Sequence, residues 1–205
     1  HLSIRRQRQM CIRDRWGNVT HDYRNAVKGF SSNFSSGVYT SRSWTQPNLI
    51  TYIESHDEER AMYDAITYGS SVNSLHNAKS SFIALARSEA AAVMMLTTPG
   101  PKMIWQFGEM GYDFSINYGC RVCNKPIRWN YLEQSNRKRL FDVYKATMYL
   151  RQNYPTFQSL TFTHALTGTM KRIVLTDPAM DAVVMANFSV QVTNTTGSFT
   201  STGWW

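Results

Sequence analysis

Residues 49–60 read LITYI followed by ESHDEER, and this stretch decides the fold. Leu49, Ile50, Thr51, Tyr52 and Ile53 are apolar, aromatic or β-branched at consecutive positions, the pattern of a strand covered on both faces inside a parallel sheet. Pro47 precedes the run and Glu54 ends it abruptly with seven polar residues. In α/β architectures, ligands and reacting groups gather beyond the C-terminal ends of the strands. His56 and Asp57 stand at that place. If the chain bends there, both side chains reach inward and offer a hydroxyl-rich ligand a donor and an acceptor. A loop of solvated charges has the same spacing, so spacing alone does not decide between the two.

Working outward, Asn77 to Leu96 is rich in alanine, and Phe82, Leu85, Ala86, Ala90, Val93 and Met94 recur at three- and four-residue intervals, which predicts an amphipathic helix. Pro99 and Gly100 end it. Lys102 to Phe107 then reads as a second buried strand, so the order is strand, helix, strand, the repeating unit of a parallel sheet or barrel. Ser135 to Asn153 again has helical spacing, with Ser135 as a candidate cap over a first turn that is basic and thus unfavourable to the helix dipole. Pro155 closes that helix. From Phe157 onward, short Val-, Thr- and Phe-rich runs at 172–175 and 182–188 predict a small antiparallel β domain. Upstream, residues 16–47 read as a long surface connection with one short helix near His21 to Lys28.

The chain has 205 residues and 42% apolar content, enough for a folded core rather than a disordered segment. Its formal charge is +8, of which the first fifteen residues supply half, through five arginines against Asp14. That opening segment lacks periodicity, joins abruptly to different composition at Trp16, and is read as foreign to the fold. With it set aside, neither a nucleic-acid nor a membrane partner is expected. No apolar run reaches bilayer length, and no signal-peptide pattern is visible. Cys11, Cys120 and Cys123 are an odd set, and one C-x-x-C without a second ligand pair points to free thiols in a loop rather than to a metal site. Trp204 and Trp205 end the chain without a polar tail, which reads as a break within a domain.

Three segments in one order carry a resemblance: ITYIESHDEER at 50–60, TTPGPKMIWQFGEMGYDFSIN at 97–117 and KPIRWNYLE at 125–133. Together they resemble the C-terminal third of family 13 glycoside hydrolases, the α-amylases and their relatives. The closest likeness is to secreted bacterial α-amylases. The resemblance implies an α/β fold: the C-terminal units of a (β/α)8 TIM barrel over 16–156, followed by an incomplete antiparallel β-sandwich domain over 157–205. It implies retaining hydrolysis of α-1,4 bonds in α-glucans such as starch, glycogen and maltooligosaccharides, and an exported parent enzyme. Asp57 is implied as the carboxylate that grips two ring hydroxyls as the sugar deforms, with His56 donating to a neighbouring hydroxyl. Such charge-assisted bonds tighten toward the transition state.

Further candidates for the sugar site are Glu54, Arg60, Glu109, Tyr112 and Asp113. For Glu54, Arg60 and the nearby Glu58 and Glu59, a local charge network is the alternative; for Glu109, it is a structural partnership with an arginine. Trp105, Phe107 and Met110 are assigned to the barrel core, while Trp44 and Trp129 either stack on sugars or pack inside. The nucleophile, the general acid and a calcium-binding subdomain precede this region in the family, so the chain alone is expected to be inactive and to need no cofactor of its own. Two other readings are a glucan branching transferase, which the strand-eight segment also resembles, and a non-catalytic glucan-binding protein.

Overall fold

A computed structural model describes residues 16–202; the arginine-rich opening, Cys11, Trp204 and Trp205 lie outside them. Counting strands and helices along the chain, β1 is Trp16–Asn18, α1 Thr20–Lys28, β2 Ser32–Asn33, β3 Ile50–Tyr52, α2 Ala61–Tyr68, α3 Ser81–Thr97 and α4 Ser135–Asn153. The remaining strands are β4 Phe162–Ala165, β5 Thr167–Gly168, β6 Met170–Leu175 and β7 Ala182–Asn187.

The decisive strand is β3, and it is parallel on both sides. Trp16 lies opposite Ile50 and Asn18 opposite Tyr52 along β1. Across the other edge a parallel bridge joins Thr51 to Lys102. There, the Thr51 N–H donates to the Pro101 carbonyl at 3.1 Å and the Met103 N–H to the Thr51 carbonyl at 3.2 Å. Three parallel segments therefore follow one another in chain order with helices between them; the sequence predicts the last two and the helix that joins them.

The strand expected over Lys102 to Phe107 narrows to that bridge. Pro101 has no N–H to extend the ladder, and Phe107, at φ 59°, turns left-handed and ends the extended run. β1 escaped the sequence reading because three residues around Gly17 carry no period. Gly17 lies close to the Leu49 side chain, which a Cβ there would meet at 3.0 Å.

Helix α1 buries Thr20, Tyr23, Ala26 and Val27, a stripe at three- and four-residue spacing. Gly29, at φ 95°, closes it in the left-handed conformation, with the Gly29 and Phe30 N–H groups returning to Ala26 and Asn25. Helix α2, which the sequence reading missed, is held at its start by the Glu54 carboxylate, which accepts from the Ala61 N–H at 2.7 Å. Its buried Asp64 accepts from Arg24 of α1 at 2.9 Å. Helix α3 is covered on more than the one face that the periodicity suggested: Ala84, Leu85, Ala91, Ala92, Met94, Met95 and Leu96 are buried, while Phe82 is 56% exposed. In α4 the cap position falls on Gln134, so Ser135 is the first helical residue rather than its cap.

Strands β4, β6 and β7 form an antiparallel sheet in that order. Phe162 faces Leu175, and Met170 faces Asn187. Among the described residues this is one three-stranded layer. Its buried Ile173 and Leu175, together with Phe188, belong to the same apolar core as Tyr23, Phe34, Leu85, Met94 and Leu140. A second tie is the short antiparallel pair β2 and β5, in which Ser32 faces Gly168. Lys171 seals this junction. It is 1% exposed, donates to the carbonyls of Ser32, Leu166 and Gly168, and stands 4.5 Å from the Phe34 ring centre.

Arg87 on α3 performs the same task at greater depth. Its guanidinium donates to Ala26 and Val27 at the C-terminal end of α1, both at 2.7 Å, and to Phe188 and Ser189 beyond β7 at 2.5 and 3.2 Å. The Val27 carbonyl is one that a helix end leaves without an intrahelical partner, whereas the Ala26 carbonyl also accepts from the Gly29 N–H. Burial pushes the Arg87 pKa down to about 10, so it stays charged at neutral pH. Arg87→Met keeps the apolar stem but strips the donor from the carbonyls of Val27, Phe188 and Ser189; at ~1 kcal/mol per orphaned group, the free energy of unfolding in urea should fall by about 3 kcal/mol. A loss below about 1 kcal/mol, within the range of an ordinary surface change, would contradict this account.

Candidate functional site

Immediately after β3 the chain leaves the sheet and commits its acidic side chains one by one to protein partners. Glu54 is buried and accepts from Arg60 Nη1 at 2.7 Å as well as from Ala61. Glu58 accepts from Asn18 Nδ2 at 2.7 Å and from the Ser55 hydroxyl. Glu59 reaches across to the loop after the third parallel segment, accepting from the Ile116 N–H at 2.8 Å and the Ser115 hydroxyl at 2.7 Å. His56 and Asp57 are left open, with side chains 72% and 68% exposed and His56 Nε2 at 3.3 Å from Asp57 Oδ2.

The open pair lines a cleft of about 370 Å³. One wall is the strand end, a second is Trp105 and Gln106, and the third is the loop carrying Phe114, Ile116 and Arg121. The His56 and Trp105 rings stand 5.9 Å apart between centres. Arg121 donates to the Asp57 carbonyl at 2.9 Å, and the same nitrogen is 3.7 Å from Oδ1 of its carboxylate. A carboxylate acceptor, an imidazole, a guanidinium donor and an indole beside one cleft suit a polyhydroxylated ring, since each supplies a directional bond or an apolar face.

The remaining candidates are engaged by protein partners. Arg60 pairs with Glu54 at 2.7 Å, donates to the Gln106 carbonyl at 2.6 Å and lies 4.7 Å from the Tyr112 ring centre. With both carboxylate oxygens of Glu54 engaged in this way, the pair forms the charge network named as the alternative to substrate contact. Tyr112 is 1% exposed and donates its hydroxyl to the Pro126 carbonyl at 2.6 Å. Asp113 accepts from Arg137 of α4 at 2.7 Å and from the Tyr131 hydroxyl. Tyr112 and Asp113 thus fix the loop to its surroundings and do not line the cleft.

Glu109 is half-buried. Desolvation is the largest influence and raises its carboxyl above the ordinary range; Glu54 adds to this, while its own backbone N–H and Arg60 oppose.

Trp105, assigned from sequence to the core, is half-buried and borders both an interior void and the cleft, whereas Phe107 and Met110 are buried as expected. Trp129 is 66% exposed and meets Phe107 edge-on at 4.9 Å, away from the cleft. Trp44 is half-buried, with Arg42 6.0 Å from its ring centre. Arg121 was missed, because an arginine in a loop carries no sequence signal until the fold brings it to Asp57. The cysteines correct the reading most sharply: Cys120 and Cys123 form a disulfide, with Cα atoms 5.0 Å apart, instead of two free thiols. A Cα separation of that size is within reach of a bridge, and the turn that returns the Cys123 N–H to the Cys120 carbonyl provides it. Among the described residues, no cluster of three or more His, Cys, Asp or Glu is placed to hold a metal ion.

No protein-family model and no curated protein matches the chain. Solved structures do. The type III pullulan hydrolase from Thermococcus kodakarensis aligns with a TM-score of 0.56 and 18% identity over 82% of this chain and 28% of its own. The α-amylase from H.orenii aligns at 0.54 and 16%, over 84% of this chain and 38% of that one. The cyclic alpha-maltosyl-(1→6)-maltose hydrolase from Arthrobacter globiformis gives 0.53 and 17%, over 82% and 36%.

The chain has the fold of part of these enzymes. It spans between 28% and 38% of their lengths.

The Glu109 environment gives a pH test of its burial. A carboxyl whose folded pKa is raised binds its proton more tightly in the fold than in the unfolded chain, so stability falls as pH rises above the ordinary value of 4.5. Glu109→Gln removes that penalty. The variant should therefore have a higher urea midpoint than the parent at pH 7, and the two should converge below pH 4.5. Equal midpoints at both pH values would show that burial does not disfavour this carboxylate.

Proposed function

We propose that this chain belongs to the α-amylase family of glycoside hydrolases and forms the C-terminal units of its (β/α)8 barrel with the start of the β-sandwich that follows. The proposed activity of the whole enzyme is retaining hydrolysis of α-1,4 glucosidic bonds in starch-like glucans. The observation that carries this reading is the pair His56 and Asp57, open to a cleft at the C-terminal end of a parallel strand while the acidic residues around it are tied to protein partners. The fold shared with a pullulan hydrolase, an α-amylase and a cyclic alpha-maltosyl-(1→6)-maltose hydrolase supports it.

In this reading Asp57 accepts from two hydroxyls of the ring beside the scissile bond and His56 donates to a third oxygen. As that ring flattens and gains positive charge, a fixed carboxylate next to it stabilises the transition state more than the ground state. Cleavage with retention also needs a nucleophilic carboxylate and a carboxylic acid about 5 Å apart across the bond. Asp57 is one carboxylate, and Glu58, the other acid at the cleft, is held by Asn18 and Ser55. By resemblance to the family, the nucleophile and acid are assigned to sequence outside this chain, and the chain alone is expected not to hydrolyse starch. Export of the enzyme is part of the proposal; a disulfide between Cys120 and Cys123 supports it, because such bonds persist in oxidising compartments.

Asp57→Asn in the full-length enzyme tests the assignment. It preserves shape and removes the charge, so kcat on soluble starch should fall about 100- to 1,000-fold with an unchanged circular dichroism spectrum. Turnover within a few-fold of the parent would remove Asp57 from the site.

A further inference from the structure

The cleft has one wall to which the proposed roles of Asp57 and His56 assign no part. Residues 118–125 are closed on themselves by the Cys120–Cys123 disulfide. Lys125 completes the closure by donating to the carbonyls of Tyr118 and Cys120 at 3.1 and 2.5 Å. The segment just before is nailed down by Glu59, which accepts from Ser115 and Ile116. Between the two cysteines stand Arg121 and Val122, and both side chains border the cleft.

We propose that Arg121 is a substrate-positioning residue of the glucan site, and that the Cys120–Cys123 disulfide serves to hold it there. The inference rests on the glucan-hydrolase reading. Arg121 Nη2 donates to the Asp57 carbonyl at 2.9 Å, which anchors one edge of the guanidinium, while the side chain remains 56% exposed. A guanidinium carries five N–H donors in a rigid fork. With one nitrogen on Asp57, donors on the other edge remain for the hydroxyls of a sugar lying against Trp105 and Phe114. A ring so placed meets Asp57 as acceptor and Arg121 as donor, a combination that vicinal hydroxyls satisfy together.

The disulfide bears on this because a long side chain on a mobile loop loses its advantage in ordering entropy. Arginine forfeits much of its rotamer freedom when fixed, and a mobile loop adds a further cost for each residue that must be ordered. Closing the four residues Cys120–Cys123 into a ring removes most backbone freedom at Arg121 before any sugar arrives. The contact with sugar is made in the ground state and kept in the transition state, so its loss affects binding rather than the chemical step.

The test is a double-mutant cycle in the full-length enzyme with maltoheptaose, comparing Arg121→Ala, the pair Cys120→Ser with Cys123→Ser, and the combination. Arg121→Ala should raise KM about 10- to 50-fold, the cost of a charge-assisted hydrogen bond, with kcat within about threefold. Arg121→Lys should restore part of the loss, because one point donor replaces the fork. The double serine variant should raise KM about three- to fivefold at unchanged kcat, and it should add nothing once Arg121 is alanine, since the brace acts through that side chain. An unchanged KM in Arg121→Ala, or serine and alanine effects that multiply, overturns the inference while Asp57→Asn still reports on the function. Absence of glucan turnover by the unmodified enzyme overturns both.

Discussion

The buried pair of Glu54 and Arg60 is the constraint on which the site depends. One carboxylate, 6% exposed, accepts from the arginine and from the first N–H of α2, and the arginine in turn donates to the Gln106 carbonyl on the neighbouring parallel segment. Three pieces of chain that diverge from the sheet are thereby fixed to each other: the end of β3, the start of α2 and the turn after Lys102. A buried ion pair is not in itself a source of net stability, because desolvation of both charges offsets much of their attraction. Its effect here is geometric. With residues 54 and 60 fixed at both ends, the five residues between them are confined to a short arch, and His56 and Asp57 occupy its crest.

The surrounding polar network extends the same logic. Glu58 ties the arch to β1 through Asn18, and Glu59 ties it to the loop that forms the opposite wall. Each of these carboxylates supports the cleft and is unavailable to it. An acidic cluster of this kind offers a ligand one solvent-exposed carboxylate on an arch held in place by the others, which is what preorganised recognition of a neutral, hydroxyl-rich molecule requires.

Much of this was legible in the residues themselves. The unbroken apolar run of Leu49 to Ile53 announced a parallel strand, and the sudden polarity after it located the cleft. The long helices of Ser81–Thr97 and Ser135–Asn153 were visible because their periodicity persists over several turns. What was hidden was short or tertiary. Trp16–Asn18 has too few residues for a period, and the eight residues of α2 depend on a carboxylate seven positions upstream to start them. Lys102 to Phe107 looked like a strand because its composition is that of one, but strand length is set by partners, and one neighbour supplied only two hydrogen bonds. At the site, Glu54 and Arg60 were named as candidates because charges near a functional motif look alike until their partners are known. Trp105 and Arg121 were passed over for the converse reason, since a buried-looking aromatic and a loop arginine acquire meaning only when the fold sets them beside His56 and Asp57.

The central claim is that the open carboxylate after β3 grips a glucose ring. A crystal structure of the full-length enzyme soaked with a non-hydrolysable maltooligosaccharide measures this most directly. The account predicts a ring in the cleft with two hydroxyls within about 3 Å of the Asp57 carboxylate and a third oxygen facing His56. A sugar bound elsewhere on the molecule, with Asp57 still facing only His56, Arg121 and solvent, would contradict it.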